Sequence, residues 1–208
     1  MKNKTLSIAA LLLTGTLLFA GCGQTGNTTG NASSATAGQE TTTTEQTGST
    51  AQTASDSNTS ANDIFTNMST TDLDGNKVDS SIFANNKVTL VNVWNVGCTP
   101  CVNEIPDLDK LNSEYKDKEA AVYGLYCDLG AGIPDDELSQ IKDILDNANA
   151  SYTQLRMDGT LAANDTLLNI MAFPTTYIVG SDGTILDTLE GSHDYEGWKK
   201  IIDSYLAE

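Results

Sequence analysis

From residue 63 onward the apolar positions follow two periods, and the alternation between them outlines the fold. Val88 to Val93 is a near-continuous apolar run that reads as a buried strand, with Trp94 directly after it. Cys101, Ile105, Leu108, Leu111 and Tyr115 then recur at spacings of four, three, three and four, which places them on one face of a helix. Ala121 to Tyr126 predicts the next strand, and Leu138, Ile141, Leu145 and Ala148 mark a second amphipathic helix. Tyr152 to Met157 predicts a short strand and Leu161 to Ile170 a weaker helix. Thr175 to Val179 and Thr184 to Leu189 form a hairpin across Ser181-Asp182-Gly183, and Trp198, Ile201, Ile202 and Tyr205 predict a closing helix. Upstream, Asp72-Leu73-Asp74-Gly75 carries a turn signal between two short extended segments. The pattern predicts an α/β domain: a central mixed β-sheet flanked by helices, with an N-terminal β-hairpin extension.

The chain ahead of this domain has a different character. Lys2 and Lys4 precede an uncharged apolar stretch from Leu6 to Ala20, followed by Phe19-Ala20-Gly21-Cys22. The stretch is shorter than the ~20 residues a spanning helix needs, and small residues before a cysteine resemble the cleavage and lipidation box of a bacterial lipoprotein. Phe19 stands where that box usually has Leu. Residues 1–21 are therefore expected to be a signal peptide and Cys22 the acylated N-terminus, placing the protein on the extracytoplasmic face of the cell membrane. A plain secretory signal or an uncleaved anchor are the competing readings, and either still exports the domain. Residues 23–62 hold only Gly, Gln, Thr, Asn, Ala, Ser, Glu and Asp. Such a segment cannot offset its ordering entropy, so residues 22–62 are expected to be a disordered tether and residues 63–208 one domain.

A formal charge of −17 argues against nucleic acid or anionic lipid surfaces as partners. The candidate chemistry lies in Cys98-Thr99-Pro100-Cys101, set between the first long strand and the helix that follows. Residues three apart at a helix start bring their Cβ atoms to about 5–6 Å, and a disulfide tolerates Cα separations of about 4.4–6.8 Å. The bond can open and close without refolding. Unpaired amide groups at the helix N-terminus favour a thiolate on Cys98, which makes it the attacking sulfur. Cys101, on the core-facing stripe, would resolve the mixed disulfide. A structural zinc site is the competing reading, but it needs further ligands, and only Cys127 and the single His193 remain, neither in a paired spacing. Cys127, at the end of a predicted central strand, is expected to be a buried small apolar residue. His193 is expected on the surface. Pro106 is expected to bend the helix that follows the cysteines.

Three segments together resemble the thioredoxin superfamily, and within it the membrane-tethered TlpA/ResA type. They are Val91 to Pro106 around the cysteines, Phe173-Pro174-Thr175-Thr176-Tyr177-Ile178, and Asp182-Gly183-Thr184-Ile185. The resemblance implies a cis Pro174 that turns the backbone of Phe173 toward the sulfurs, and a supporting place near them for Trp94. It also implies that Glu104, three residues beyond Cys101, handles the Cys101 proton; a solvated first-turn acid that complements the helix dipole is the other reading. Thioredoxins proper have a buried aspartate six residues before the first cysteine, where this chain has Asn92. Gly97 replaces the family's usual Trp before Cys98, which widens the surface there. No cofactor or metal is implied beyond the redox-active disulfide Cys98–Cys101. The implied clients are exported proteins such as apocytochrome c, a methionine sulfoxide reductase or a peroxidase, with electrons from a membrane thiol donor of the CcdA type. Two other readings stay open. One is a peroxiredoxin-like peroxidase, although its Pro-x-x-x-Thr-x-x-Cys pattern would need Thr where Asn95 stands. The other is a thiol- or metal-binding lipoprotein without enzymatic activity.

Overall fold

The computed structural model describes residues 63–129 and 131–207. The expected signal peptide, Cys22 and the tether lie outside the described residues. The five-stranded sheet is built on β3 (Val88–Trp94), every residue of which is buried. β3 pairs in parallel with β4 (Ala120–Tyr126), which pairs in parallel with β5 (Gln154–Arg156). On its other side β3 pairs antiparallel with β6 (Thr175–Val179), and β6 with β7 (Ile185–Glu190). The spatial order is β5-β4-β3-β6-β7. A separate antiparallel pair, β1 (Ser69–Thr71) and β2 (Lys77–Asp79), forms the N-terminal hairpin. The Asp72 carboxylate closes that turn by accepting the backbone N–H groups of Asp74 and Asn76, both at 2.9 Å.

Because successive strand residues face opposite sides, β3 feeds two cores. Leu90 and Trp94 join the cluster under α1 (Thr99–Tyr115), α2 (Asp135–Asn147) and α4 (Tyr195–Leu206). Val91 and Val93 face Phe65, Phe83, Leu161 and Leu167, the last on the short α3 (Asp165–Leu168). Asn92 lies on the α1 side, between Leu90 and Trp94, and is fully buried. The stripe Cys101, Ile105, Leu108, Leu111 and Tyr115 is buried along α1 as its spacing predicts. Pro106 sits exposed inside α1, and helical structure runs unbroken through it to Tyr115.

Two elements differ from expectation. The helix expected over Leu161 to Ile170 shrinks to Asp165–Leu168. The Asn164 side chain caps it by accepting from the N–H groups of Thr166 and Leu167, so the helix starts there. The preceding backbone is already engaged in a turn, with Leu161 N–H donating to Asp158 and Thr160 N–H to Ser69. The strand expected over Tyr152 to Met157 is Gln154–Arg156, because Tyr152 N–H donates to the Asp109 carboxylate on α1 instead of to a strand. Among the described residues, no helix is long and apolar enough to cross a membrane.

Candidate active site

β3 ends at Trp94, and the next residues turn the chain into α1. The Asn95 side chain accepts the Gly97 N–H at 2.9 Å and its carbonyl accepts the Cys98 N–H at 3.1 Å, which forms a tight turn. Cys98 is the N-cap of α1, in extended conformation, and its Sγ accepts the Cys101 N–H at 3.2 Å. That amide is one of the helix's otherwise unpaired donors, and it points at the sulfur that would carry charge after reduction. Cys98 and Cys101 form a disulfide with a Cα separation of 5.3 Å. Cys98 is half-buried while Cys101 is fully buried, so an external reactant reaches Cys98 alone.

The peptide bond between Phe173 and Pro174 is cis, as the resemblance implied. Phe173, Val96 and Cys98 are partly buried against the same apolar cluster. Phe173 also lines a cleft of about 290 Å³ with Asn95, Val96, Tyr126, Cys127 and Leu129. Leu129 is one of the few large apolar side chains left exposed. Trp94 is fully buried, edge-on to Tyr126, and its Nε1–H donates to Gln154 Oε1 at 2.9 Å. The Gln154 amide fits because position 124, its neighbour in the β4–β5 register, is glycine. A Cβ built at Gly124 would lie 1.8 Å from Gln154 Oε1.

Glu104 is 3% exposed and sits on the inner face of α1. Its Oε1 accepts Asn92 Nδ2–H at 2.8 Å. Its Oε2 accepts the backbone N–H of His193 at 3.1 Å and Trp198 Nε1–H at 3.2 Å. Asn92 also donates to Thr176 Oγ1 at 2.9 Å, which ties β3, β6 and α1 into one buried polar group. Burial lifts the carboxyl from 4.5 to about 7; the three donors, Asn92, His193 and Trp198, pull against that lift, and nearby Asp107 adds to it. The open choice between a solvated acid and a buried one is thereby decided for burial. A group of this affinity exchanges a proton near neutral pH.

Cys127 is buried, its N–H donates to the Trp94 carbonyl at 2.9 Å, and burial pushes its thiol up. It lies on the strand framework as an apolar residue. Among the described residues no group of three or more Cys, His, Asp or Glu is arranged to hold a metal ion. His193, expected to be a surface residue, is half-buried with its backbone on Glu104 and its ring edge-on to Trp198, centroids 4.6 Å apart. Sequence reasoning missed Asn92, Trp198 and His193 as partners of Glu104. One signal was present: a buried indole N–H requires an acceptor, and Trp198 was on the expected core face of its helix.

The sequence profile of the AhpC/TSA family matches residues 61–188. The chain is 29% identical over 120 residues to the thioredoxin-like protein YneN of Bacillus subtilis, covering 58% of this chain and 66% of that protein. It is 23% identical over 145 residues to the thiol-disulfide oxidoreductase ResA of Bacillus thuringiensis subsp. konkukian, covering 68% of this chain and 74% of the relative. A thioredoxin family thiol:disulfide interchange protein from Chlorobium tepidum superposes with a TM-score of 0.55 at 18% identity. That match covers 67% of this chain and 93% of the other, and shows the shared fold. The chain belongs to the AhpC/TSA family, as a thioredoxin-like protein of the thiol-disulfide oxidoreductase type.

Proposed function

We propose that the protein reduces disulfides of exported client proteins through the Cys98–Cys101 dithiol, from a lipid anchor at Cys22 on the extracytoplasmic face of a bacterial cell membrane. The observation that carries this reading is the asymmetry of the pair: Cys98 half-exposed at a helix N-terminus and Cys101 wholly buried one turn further in. In the forward direction the Cys98 thiolate attacks a client disulfide, forming a mixed disulfide and releasing one client thiolate. Cys101 then gives its proton to the Glu104 carboxylate, and the resulting thiolate attacks Cys98 Sγ. The Cys98–Cys101 disulfide forms and the second client sulfur leaves, so two electrons pass from the dithiol to the client. A membrane thiol donor of the CcdA type restores the dithiol. Phe173 and Pro174 border the surface where the client would lie, and Trp94 supports the base of the site. The clients that the family resemblance implies are apocytochrome c, a methionine sulfoxide reductase or a peroxidase, each through a disulfide that this chemistry would open.

The direction of electron flow is tested by equilibrating the Cys98–Cys101 couple with a defined thiol buffer. A reductant gives a potential near the thioredoxin-like ~−270 mV, and a value near ~−120 mV, in the range of strong oxidants, contradicts the proposal. Rapid peroxide consumption by the reduced protein without a second protein would favour the peroxidase reading instead. The anchor is tested separately, by labelling growing cells with a fatty acid: Cys22→Ser abolishes incorporation if Cys22 is acylated, and leaves it unchanged if it is not.

A further inference from the structure

Glu104 is held on one side by an element whose role in the reaction the family resemblance does not supply. After β7 the chain crosses back as Gly191-Ser192-His193 before α4 begins. Gly191 N–H donates to the Pro174 carbonyl at 2.9 Å, and two residues on, His193 N–H donates to Glu104 Oε2 at 3.1 Å. Tyr195 N–H donates to Asp107 Oδ2 at 3.1 Å, which fixes the start of α4 to α1. In the first turns of α4 the indole of Trp198 is fully buried and brings a second donor to the same Oε2 at 3.2 Å. The His193 ring packs edge-on against that indole and covers it from outside. Gly191 has φ +92°, in the left-handed region that favours glycine, so the crossing depends on that residue. Without these donors Oε2 would be a buried acceptor with nothing to offset its desolvation.

We propose that the strap Gly191-Ser192-His193, together with Trp198, is the positioning element that holds Glu104 as the proton acceptor for Cys101. The inference rests on the acid–base role proposed for Glu104 above. The strap does not touch the sulfurs; it acts through the carboxylate. The three partners of Glu104 all donate, which favours the anion against the burial that raises its proton affinity. Its other ionisable neighbours are Asp107 on α1, Tyr152 ahead of β5 and, through its backbone, His193 on the strap; Cys101, in the disulfide here, lies three residues before it on α1. Asp107 opposes the anion, so the balance depends on the donors. Because one end of the strap is bound to the Pro174 carbonyl, the carboxylate is also tied to the backbone next to which a client would dock.

The test uses the full chain with its glutamate side chains carbon-13 labelled, the Glu104 carboxyl signal being assigned by its loss in Glu104→Gln. Trp198→Phe removes one donor and keeps an aromatic ring in place. Gly191→Ala forces a side chain onto a left-handed backbone and displaces the strap without touching Glu104 or either cysteine. In Trp198→Phe the Glu104 titration midpoint should rise by about one pH unit, and in Gly191→Ala it should move in the same direction. The pH profile for resolution of a mixed disulfide on Cys98 should shift by the same amount in each variant, with the rate recovering at alkaline pH. A merely structural loss would lower the rate at every pH. If either variant fails to fold, the other still carries the test. Folded variants that titrate within about 0.2 unit of the parent, small beside the one-unit loss expected for a donor to a charged group, would overturn the proposal. Should Glu104→Gln keep the parent's pH–rate profile, the acid–base role of Glu104 fails, and the carboxyl titration still reports separately whether the strap sets its proton affinity.

Discussion

Glu104→Gln is the substitution whose consequences the structure specifies most fully. Burial raises the Glu104 carboxyl from 4.5 to about 7. At 1.36 kcal/mol per pKa unit this amounts to roughly 3 kcal/mol of preference for the protonated form in the folded state. The folded-state value lies above the unfolded one, so the contribution to stability is fully present below pH 4.5 and is lost as pH rises toward about 7. Above that the penalty is constant. Glutamine removes the titration while keeping shape, and the site can receive its amide. Asn92 Oδ1 is buried without a hydrogen-bond partner. If the Asn92 amide rotates by half a turn, its oxygen takes the place of Nδ2 and accepts from the new Gln amide and from Thr176 Oγ1–H, where Nδ2 donated to Glu104 and Thr176 before. The single Gln oxygen takes the Oε2 position and keeps the His193 and Trp198 donors. The variant should therefore match or slightly trail the parent near pH 4.5 and exceed it by about 2–3 kcal/mol at pH 8. Urea unfolding of the oxidised proteins at pH 5, 6, 7 and 8 measures this. Parallel stability curves for parent and variant would refute the claim that a buried, proton-hungry carboxylate sits behind the cysteines.

Three further outcomes follow from the same contacts. Gly124→Ala should cost about 1–3 kcal/mol in urea unfolding, because a Cβ there displaces Gln154 and breaks its bond with Trp94; an unchanged midpoint would show that the Gln154 amide is not needed. Cys127 should resist maleimide in the native protein at pH 7 and react once urea is added, since its thiol is buried and pushed up; peptide mapping that finds rapid native labelling would contradict its place in the core. Cys98→Ser should abolish disulfide reduction in an insulin turbidity assay, whereas Cys101→Ser should still form the first mixed disulfide and stop there; turnover in Cys98→Ser would reverse the assignment of the attacking sulfur.

What the sequence made legible was local. The apolar run of β3 and the spacing of the α1 stripe placed Cys98 at a helix start and Cys101 inside, and the structure has both there. Three-residue spacing from Cys101 put Glu104 on the inner face. The cis Phe173–Pro174 bond came from family resemblance, since no periodicity encodes it. The partners of Glu104 were not legible, because they come from 12, 89 and 94 residues away. Their meeting depends on how β3, the segment after β7 and α4 pack, which is a tertiary outcome. His193 was misread for a related reason: its backbone carries the contact, and backbone donors leave no mark in composition. Asn92 stood out only as an acid that was missing, and its use as a donor to Glu104 became visible when β3 and α1 were seen side by side. The overlong helix at Leu161 shows the opposite error, an apolar pattern outweighed by an Asn164 cap and a turn already holding the backbone.

In the proposed reaction Cys98 trades a covalent bond with a disulfide of another protein and Cys101 then releases it. Its most direct measurement is to mix reduced Cys101→Ser with a disulfide-containing client, quench with acid and map the linked peptides by mass. One mixed disulfide, at Cys98, should persist in this variant and fail to accumulate in the parent. Linkage at Cys127, or no covalent adduct at all while the variant remains folded and Cys98 accessible, would contradict it.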